Sequence, residues 1–376
     1  MRVALVHDWL TGMRGGERVL EVFCDLFPGA DLFTLVHIPG AVSSVIEDRR
    51  IITSPLSRLP GIARSYRYFL PLFPAMVERF DLRDYDLVVS SSHCVAKAVR
   101  PGPGARHVSY VHTPMRYLWD RYEDYFGGGW AGPATRAAMA TLRGPLRRWD
   151  RRTCDRVDAF VANSRFVAEA IDRIYGRTAE VVHAPVDTDL FSESGEPRGE
   201  EWLVVSAFAP YKRVDVAIRA ARRAGVRLAI VGVGPMESDL RRLAGSGVRF
   251  LGSVPADELV RLYSTARGLL FPGVEDFGIV PLEAMACGCP VVALDRGGAL
   301  ETVVGAEWAG DPAGVSTGAT GLFVGEQTPE AFAHGITVVE SAEVAFDPDA
   351  CRKRAEEFST GVFRSRMAQI LGIVSA

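Results

Sequence analysis

The chain has 376 residues, 48% hydrophobic and 24% charged, with a formal net charge of −3, and is long enough for two domains of ordinary size. The first 190 residues are net basic and the remainder net acidic. An acidic total with no nucleic-acid-binding motif argues against a nucleic-acid partner, and no run reaches the ~18–20 uncharged apolar residues that span a bilayer.

Short apolar runs alternate with helical periodicity from end to end. Strands are expected at Val3–Val6, Leu32–Leu35, Leu87–Ser90, Val108–Val111, Phe160–Asn163, Glu180–His183, Leu203–Ser206, Leu228–Val231, Val248–Leu251, Leu269–Phe271 and Val291–Leu294. Such alternation predicts α/β architecture with parallel, doubly wound sheets, and this many strands fits two sheets better than one. Ser192 to Glu201, polar and containing Gly and Pro, is the expected linker between domains over 1–191 and 192–355. The opening strand is cut off by His7-Asp8, too early for the apolar core of a secretory signal, so a cytoplasmic protein is expected.

The first strand runs into Thr11-Gly-Met-Arg-Gly-Gly-Glu17 and then a helix expected from Val19 to Phe27. Gly15 and Gly16 would let backbone approach a ligand, although their spacing is neither the dinucleotide fingerprint nor a Walker loop. Arg58 to Phe80 and Arg136 to Arg156 mix arginines with aromatics. That chemistry suits an anionic membrane surface or an isoprenoid-phosphate acceptor, or equally a solvated helix face over buried rings. His112 follows a strand and precedes Thr113-Pro114, where site residues of α/β sheets occur. The other histidines show no metal-like pairing, and Cys287-Gly-Cys289 has neither a second cysteine pair nor a histidine at metal spacing. Asn163-Ser164 is placed to cap the next helix.

In the second half, Pro210-Tyr-Lys212-Arg213-Val-Asp215 sets two adjacent cations at a strand's end, able to neutralise a diphosphate. Val254 follows the strand ending at Leu251. Leu269 to Leu294 reads as strand, loop, helix, strand, with Pro281 in the helix's first turn and Gly288 near its C-cap. Glu275 lies in the loop, and Glu283 in or near the first helical turn. Backbone N–H groups of Phe277, Gly278 and Ile279 are available to an anion at the helix start. By themselves the two glutamates are explained as a solvated loop acid and a carboxylate favouring the helix dipole.

The loop glutamate, Phe-Gly two and three residues on, the second glutamate eight after the first, and Pro281-Leu-Glu-Ala-Met-Ala-x-Gly-x-Pro-Val-Val-Ala resemble the signature of the family 4 retaining glycosyltransferases. Met13-Arg-Gly-Gly-Glu17, Tyr110-Val-His-Thr-Pro-Met-Arg-Tyr117 and the Lys212 stretch are similar to bacterial O-antigen and exopolysaccharide mannosyltransferases. The resemblance covers residues 1–370 and implies the GT-B fold, two Rossmann-like domains facing each other across a cleft, with the helix beyond Glu356 returning to the first. It implies transfer of a hexose, mannose from GDP-mannose, to a hydroxyl of a glycan or polyprenyl-linked acceptor, with no cofactor and no metal. Catalytic residues are then Glu275 on the sugar, His112 beside sugar and acceptor, and Lys212 on the diphosphate. Donor-binding residues are Gly15, Gly16, Arg213, Val254, Phe277, Gly278, Ile279 and, on the ribose, Glu283.

One departure stands out. Ala207 occupies the position where the family carries an arginine, so the second cation is Arg213, a residue from elsewhere, or dispensed with. Another nucleotide-sugar enzyme of this fold (an epimerase or a phosphorylase), or a silent scaffold at a membrane surface, are the alternatives.

Overall fold

The computed structural model describes residues 1–127, 132–306, 318–341 and 346–373. The chain divides into two compact units. One is Met1–Ala184 with the residues from Phe363 on; the other is Pro185–Val362.

The first unit is built on a parallel sheet of β1 (Val3–His7), β2 (Asp31–Thr34), β3 (Arg50–Thr53), β4 (Leu87–Ser92), β5 (Arg106–Val111), β6 (Ala159–Ala162) and β7 (Ala179–Val181), in the order β3-β2-β1-β4-β5-β6-β7. β1 and β4 are buried along their whole length, as central strands covered on both faces must be. Burying each Val or Leu there contributes about 1.5–3 kcal/mol. Chain order reverses between β1 and β4, and ligands of such sheets bind beyond the strand ends at that point.

The second unit repeats the plan with β8 (Trp202–Val205), β9 (Leu228–Val231), β10 (Val248–Gly252), β11 (Leu269–Phe271), β12 (Val291–Leu294), β13 (Gly305–Ala306) and β14 (Gly321–Val324). The order is β10-β9-β8-β11-β12-β14-β13, again parallel, with the reversal between β8 and β11. Helix Val214–Ala224 and helix Pro329–Glu340 carry apolar faces into a core with Trp202, Ile230, Leu270 and Phe332.

The sequence reading omits β3, β13 and β14. β3 is a four-residue edge strand, part-exposed and led by Arg49-Arg50, so its apolar signal is weak. The first helix spans Gly15–Leu26 rather than starting at Val19, because Glu17 accepts the Arg14 backbone N–H at 3.1 Å and caps it at the glycines. Ser192 to Glu201 is fastened to the second unit. Arg198 donates to the carbonyls of Ala266 and Gly288, each at 2.7 Å, and the Ser194 N–H donates to Ser264 Oγ. The division of the chain instead falls at Pro185. Helix Thr360–Leu371 sets Phe363 against the rings of Phe23 and Tyr110, and Arg106 donates to the Ile370 carbonyl; residues 374–376 lie outside the described residues.

Candidate active site

Two groups of polar side chains gather at the two reversal points. In the first unit β1 ends on His7-Asp8. The buried Asp8 carboxylate accepts four backbone N–H groups, from His93, Cys94, Val95 and Ala96, at 2.6–2.9 Å. That cradle fixes the loop after β4 against the end of β1. Ser91 Oγ then lies 3.1 Å from His7 Nδ1 and 2.8 Å from His112 Nε2. Helix Gly15–Leu26 starts alongside: a Cβ added at Gly16 would stand 3.7 Å from His112 Nε2. Gly15, Gly16 and His112 are therefore brought together.

Burial, reinforced by repulsion from His93 and His7, pushes the His112 imidazolium well below its ordinary range. His93 is pushed down to about 3 by burial and by His7. At neutral pH His112 is a neutral ring that trades hydrogen bonds rather than a cation. Burial would raise the Glu17 carboxyl, but the neighbouring His7 and His93 rings and a backbone N–H outweigh it and hold the group below the usual carboxylate range.

In the second unit the chain leaves β8 through the short helix Pro210–Lys212, and Lys212 Nζ pairs with Glu275 of the loop after β11. Both side chains are about four-fifths buried (16% and 20% exposed), so the pair is partly shielded from solvent. Gly273 brings the loop onto the Lys212 backbone, the Glu275 carbonyl accepts the Gly298 N–H at 2.8 Å, and Gln327 donates to the Pro272 carbonyl. Gly278, in the left-handed region at φ 88°, turns the loop into helix Ile279–Ala286, whose leading N–H groups lack i−4 partners. Phe277 is buried beneath the turn.

Glu283 is the fifth residue of that helix, past the first turn, so the dipole explanation for it weakens. Its carboxylate accepts the buried Tyr263 hydroxyl at 2.9 Å. Arg213 sits at φ 52°, and its guanidinium is engaged by both Asp215 oxygens and by the Gln327 carbonyl oxygen. It braces the Lys212 turn. Val254 stands partly buried beyond β10. Cys287 and Cys289 are buried free thiols, pushed up by burial to about 12 and about 11.

His7, Ser91, Tyr263 and Gln327 escaped the sequence reading. Ser91, in Ser90-Ser-Ser92, and His7 each stand at a strand's end and carried a faint positional signal; Tyr263 and Gln327 had none. Of the arginine-rich segments, 136–156 is largely tied inward. Arg143 lies over Tyr122, Arg147 and Arg151 over Trp119, and Arg156 binds Glu78 and the Ala98 carbonyl. Segment 58–72 keeps Tyr68 76% exposed, with Leu59 and Leu72 also exposed. Among the described residues no helix is long and apolar enough to cross a membrane, and no group of three or more His, Cys, Asp or Glu could hold a metal ion.

Two family models together match residues 13–358. Glycosyltransferase Family 4 covers residues 13–190 and Glycosyl transferases group 1 covers 187–358. The chain belongs to the family 4 glycosyltransferases. A GDP-mannose-dependent alpha-(1-6)-phosphatidylinositol monomannoside mannosyltransferase of Mycolicibacterium smegmatis is 35% identical over 41% of this chain and 48% of its own length. A D-inositol 3-phosphate glycosyltransferase of the same organism is 30% identical over 57% of this chain and 53% of its own. The matches thus span about half the length of these curated relatives. Among solved structures, Anabaena HepE in complex with UDP superposes with a TM-score of 0.70 at 18% identity, covering 100% of both chains. Sucrose-phosphate synthase of Thermosynechococcus elongatus gives 0.69 at 19% identity over 98% of both. These likenesses establish the fold: two Rossmann-like domains of GT-B type.

Proposed function

We propose that the protein is a retaining, metal-independent glycosyltransferase that moves a hexose from a nucleotide diphosphate to a hydroxyl of a glycan or polyprenyl-linked acceptor in cell-surface polysaccharide synthesis. The carrying observation is the Lys212–Glu275 pair set beside the open N-terminus of helix Ile279–Ala286, at a strand-order reversal. Lys212 and the Phe277–Ile279 amides supply positive charge where negative charge develops on the departing diphosphate, which is the role a metal fills elsewhere. Glu275, held by Lys212, accepts sugar hydroxyls; Glu283, held by Tyr263, accepts those of the ribose; Val254 lies by the base. His112 as a neutral ring meets sugar or acceptor, with Gly15 and Gly16 leaving room beside it. Glu275 serves to bind rather than attack, and the leaving diphosphate itself takes the acceptor proton. Arg213 acts through the Lys212 turn, and Lys212 is the cation set on the diphosphate.

Mannose from GDP-mannose is favoured by the 35% identical relative. Peripheral contact with an anionic inner membrane face is supported by exposed Tyr68, Leu59 and Leu72 beside Arg58, Arg64 and Arg67.

Thermal unfolding against GDP-, UDP-, ADP- and dTDP-sugars tests this reading. A donor at 100 times its dissociation constant adds about 2.7 kcal/mol of stability. One nucleotide should raise the midpoint in wild type and far less in Glu283→Ala, and Lys212→Ala should cut release of nucleoside diphosphate at least about 100-fold. No shift with any of the four refutes the transferase reading and favours a silent scaffold.

A further inference from the structure

We propose that Glu17, His7 and Ser91 form a line of positioning residues that sets the tautomer of His112, keeping its proton on Nε2 and leaving Nδ1 to accept a hydrogen bond from a substrate hydroxyl. The proposed transferase activity supplies that hydroxyl, so the functional half of the inference rests on the reading above; the tautomer does not.

The geometry allows few arrangements. Ser91 Oγ has one hydrogen and stands between two imidazole nitrogens, His7 Nδ1 at 3.1 Å and His112 Nε2 at 2.8 Å. It can donate to only one, so the other ring must donate to it. The choice is made at the far end. His7 Nε2 is fully buried, has no hydrogen-bond partner, and lies 3.8 Å from Glu17 Oε1. That is too long for a hydrogen bond, yet close enough for the carboxylate's charge to select N–H over a lone pair at that nitrogen. Glu17 is nearly fully buried, its other oxygen accepts the Arg14 N–H, and it is held ionised.

With the His7 proton on Nε2, His7 Nδ1 is a bare acceptor. Ser91 donates to it and accepts from His112 Nε2–H. His112 Nδ1 keeps its lone pair and makes no hydrogen bond with a described residue. Elsewhere a buried carboxylate bonded directly to an imidazole fixes its tautomer; here the carboxylate acts through His7 and Ser91. The other groups near the line are His93 against both rings, Asp8 beneath His93, and Arg14 and Arg116 at its edge. The measurement belongs at pH 8, above the ordinary imidazole range.

The test is nitrogen NMR of the free protein labelled with ¹⁵N-histidine, with His112 assigned among the seven histidines by His112→Asn. Wild type should show His112 protonated on Nε2. Ser91→Ala, and independently Glu17→Gln, should leave it exchanging between tautomers, and Ser91→Thr should restore it. Wild-type His112 protonated on Nδ1, or a tautomer unmoved by either Ser91→Ala or Glu17→Gln, overturns the proposal. Kinetics give a second readout: Ser91→Ala should lower kcat about tenfold or more with the donor KM little changed, again rescued by Ser91→Thr. A fall in KM-dependent binding alone counts against it. Because the spectrum needs no substrate, a protein that turns over no donor still decides the tautomer, and the two readings fail separately.

Discussion

Tyr263 shows how one buried hydroxyl can set the worth of a site acid. Its ring is fully buried, and its O–H donates to the Glu283 carboxylate at 2.9 Å, fixing the side chain's direction. Burial, then the neighbouring Glu283 charge, pushes the phenol well above its usual range, so it remains a donor at every working pH. Tyr263→Phe keeps the packing and removes only the donor. Affinity for the preferred nucleoside diphosphate should weaken about fivefold, the equivalent of one hydrogen bond of about 1 kcal/mol, as measured by titration calorimetry. An unchanged affinity would mean that Glu283 does not hold the nucleotide.

At the level of the element, the loop from Pro272 to Gly278 owes its shape to the turn after β12. A Cβ on Gly298 would fall 2.3 Å from the Phe277 Cα and 2.4 Å from its carbonyl oxygen, both backbone atoms that cannot rotate away. Gly298→Ala must therefore displace the stretch that carries Glu275 and leads into helix Ile279–Ala286. It should cost about 2 kcal/mol or more, seen as a fall of several degrees in Tm, together with lost donor binding. Gly16→Ala provides the contrast: its nearest side-chain atoms are 3.5 and 3.7 Å away, so the fold should tolerate it. Equal destabilisation in the two variants would contradict this account of the loop.

For the molecule as a whole, buried neutral histidines make stability depend on pH. His107 is fully buried; its Nδ1–H donates to the Arg156 carbonyl at 2.8 Å, and Nε2 lies 2.9 Å from Ser90 Oγ. Burial pushes its pKa down to about 4, while the unfolded chain titrates near 6.5. Between those values the unfolded state binds the extra proton, so stability rises with pH. The contribution is complete above about pH 6.5 and lost as pH falls through about 4. From this residue alone, moving from pH 7 to pH 5 should cost about 2 kcal/mol, read from urea unfolding midpoints. His107→Gln should flatten the acid limb by up to one proton, and an identical limb would show that His107 is not held neutral. His93, pushed down to about 3, acts in the same direction.

Much of this was legible in the sequence because it is local. Alternating apolar runs and helical periods specify parallel α/β units, and the Glu275–Glu283 segment is contiguous, so its loop-helix geometry follows from Gly278, Pro281 and Gly288. Ser164 caps its helix through the Val167 N–H, as a serine before a helical run does. Tertiary structure alone decided the pairings between residues far apart in the chain. His7 meets Ser91 across 84 positions, Lys97 is buried against Asp150 across 53, and Tyr263 reaches Glu283 across 20. No periodicity encodes such meetings; they follow from β1 lying beside β4 and from helix Ala256–Thr265 packing near helix Ile279–Ala286. The weak edge strand β3 is an element for the same reason: its backbone groups are satisfied only by β2, a neighbour that exists once the sheet has formed.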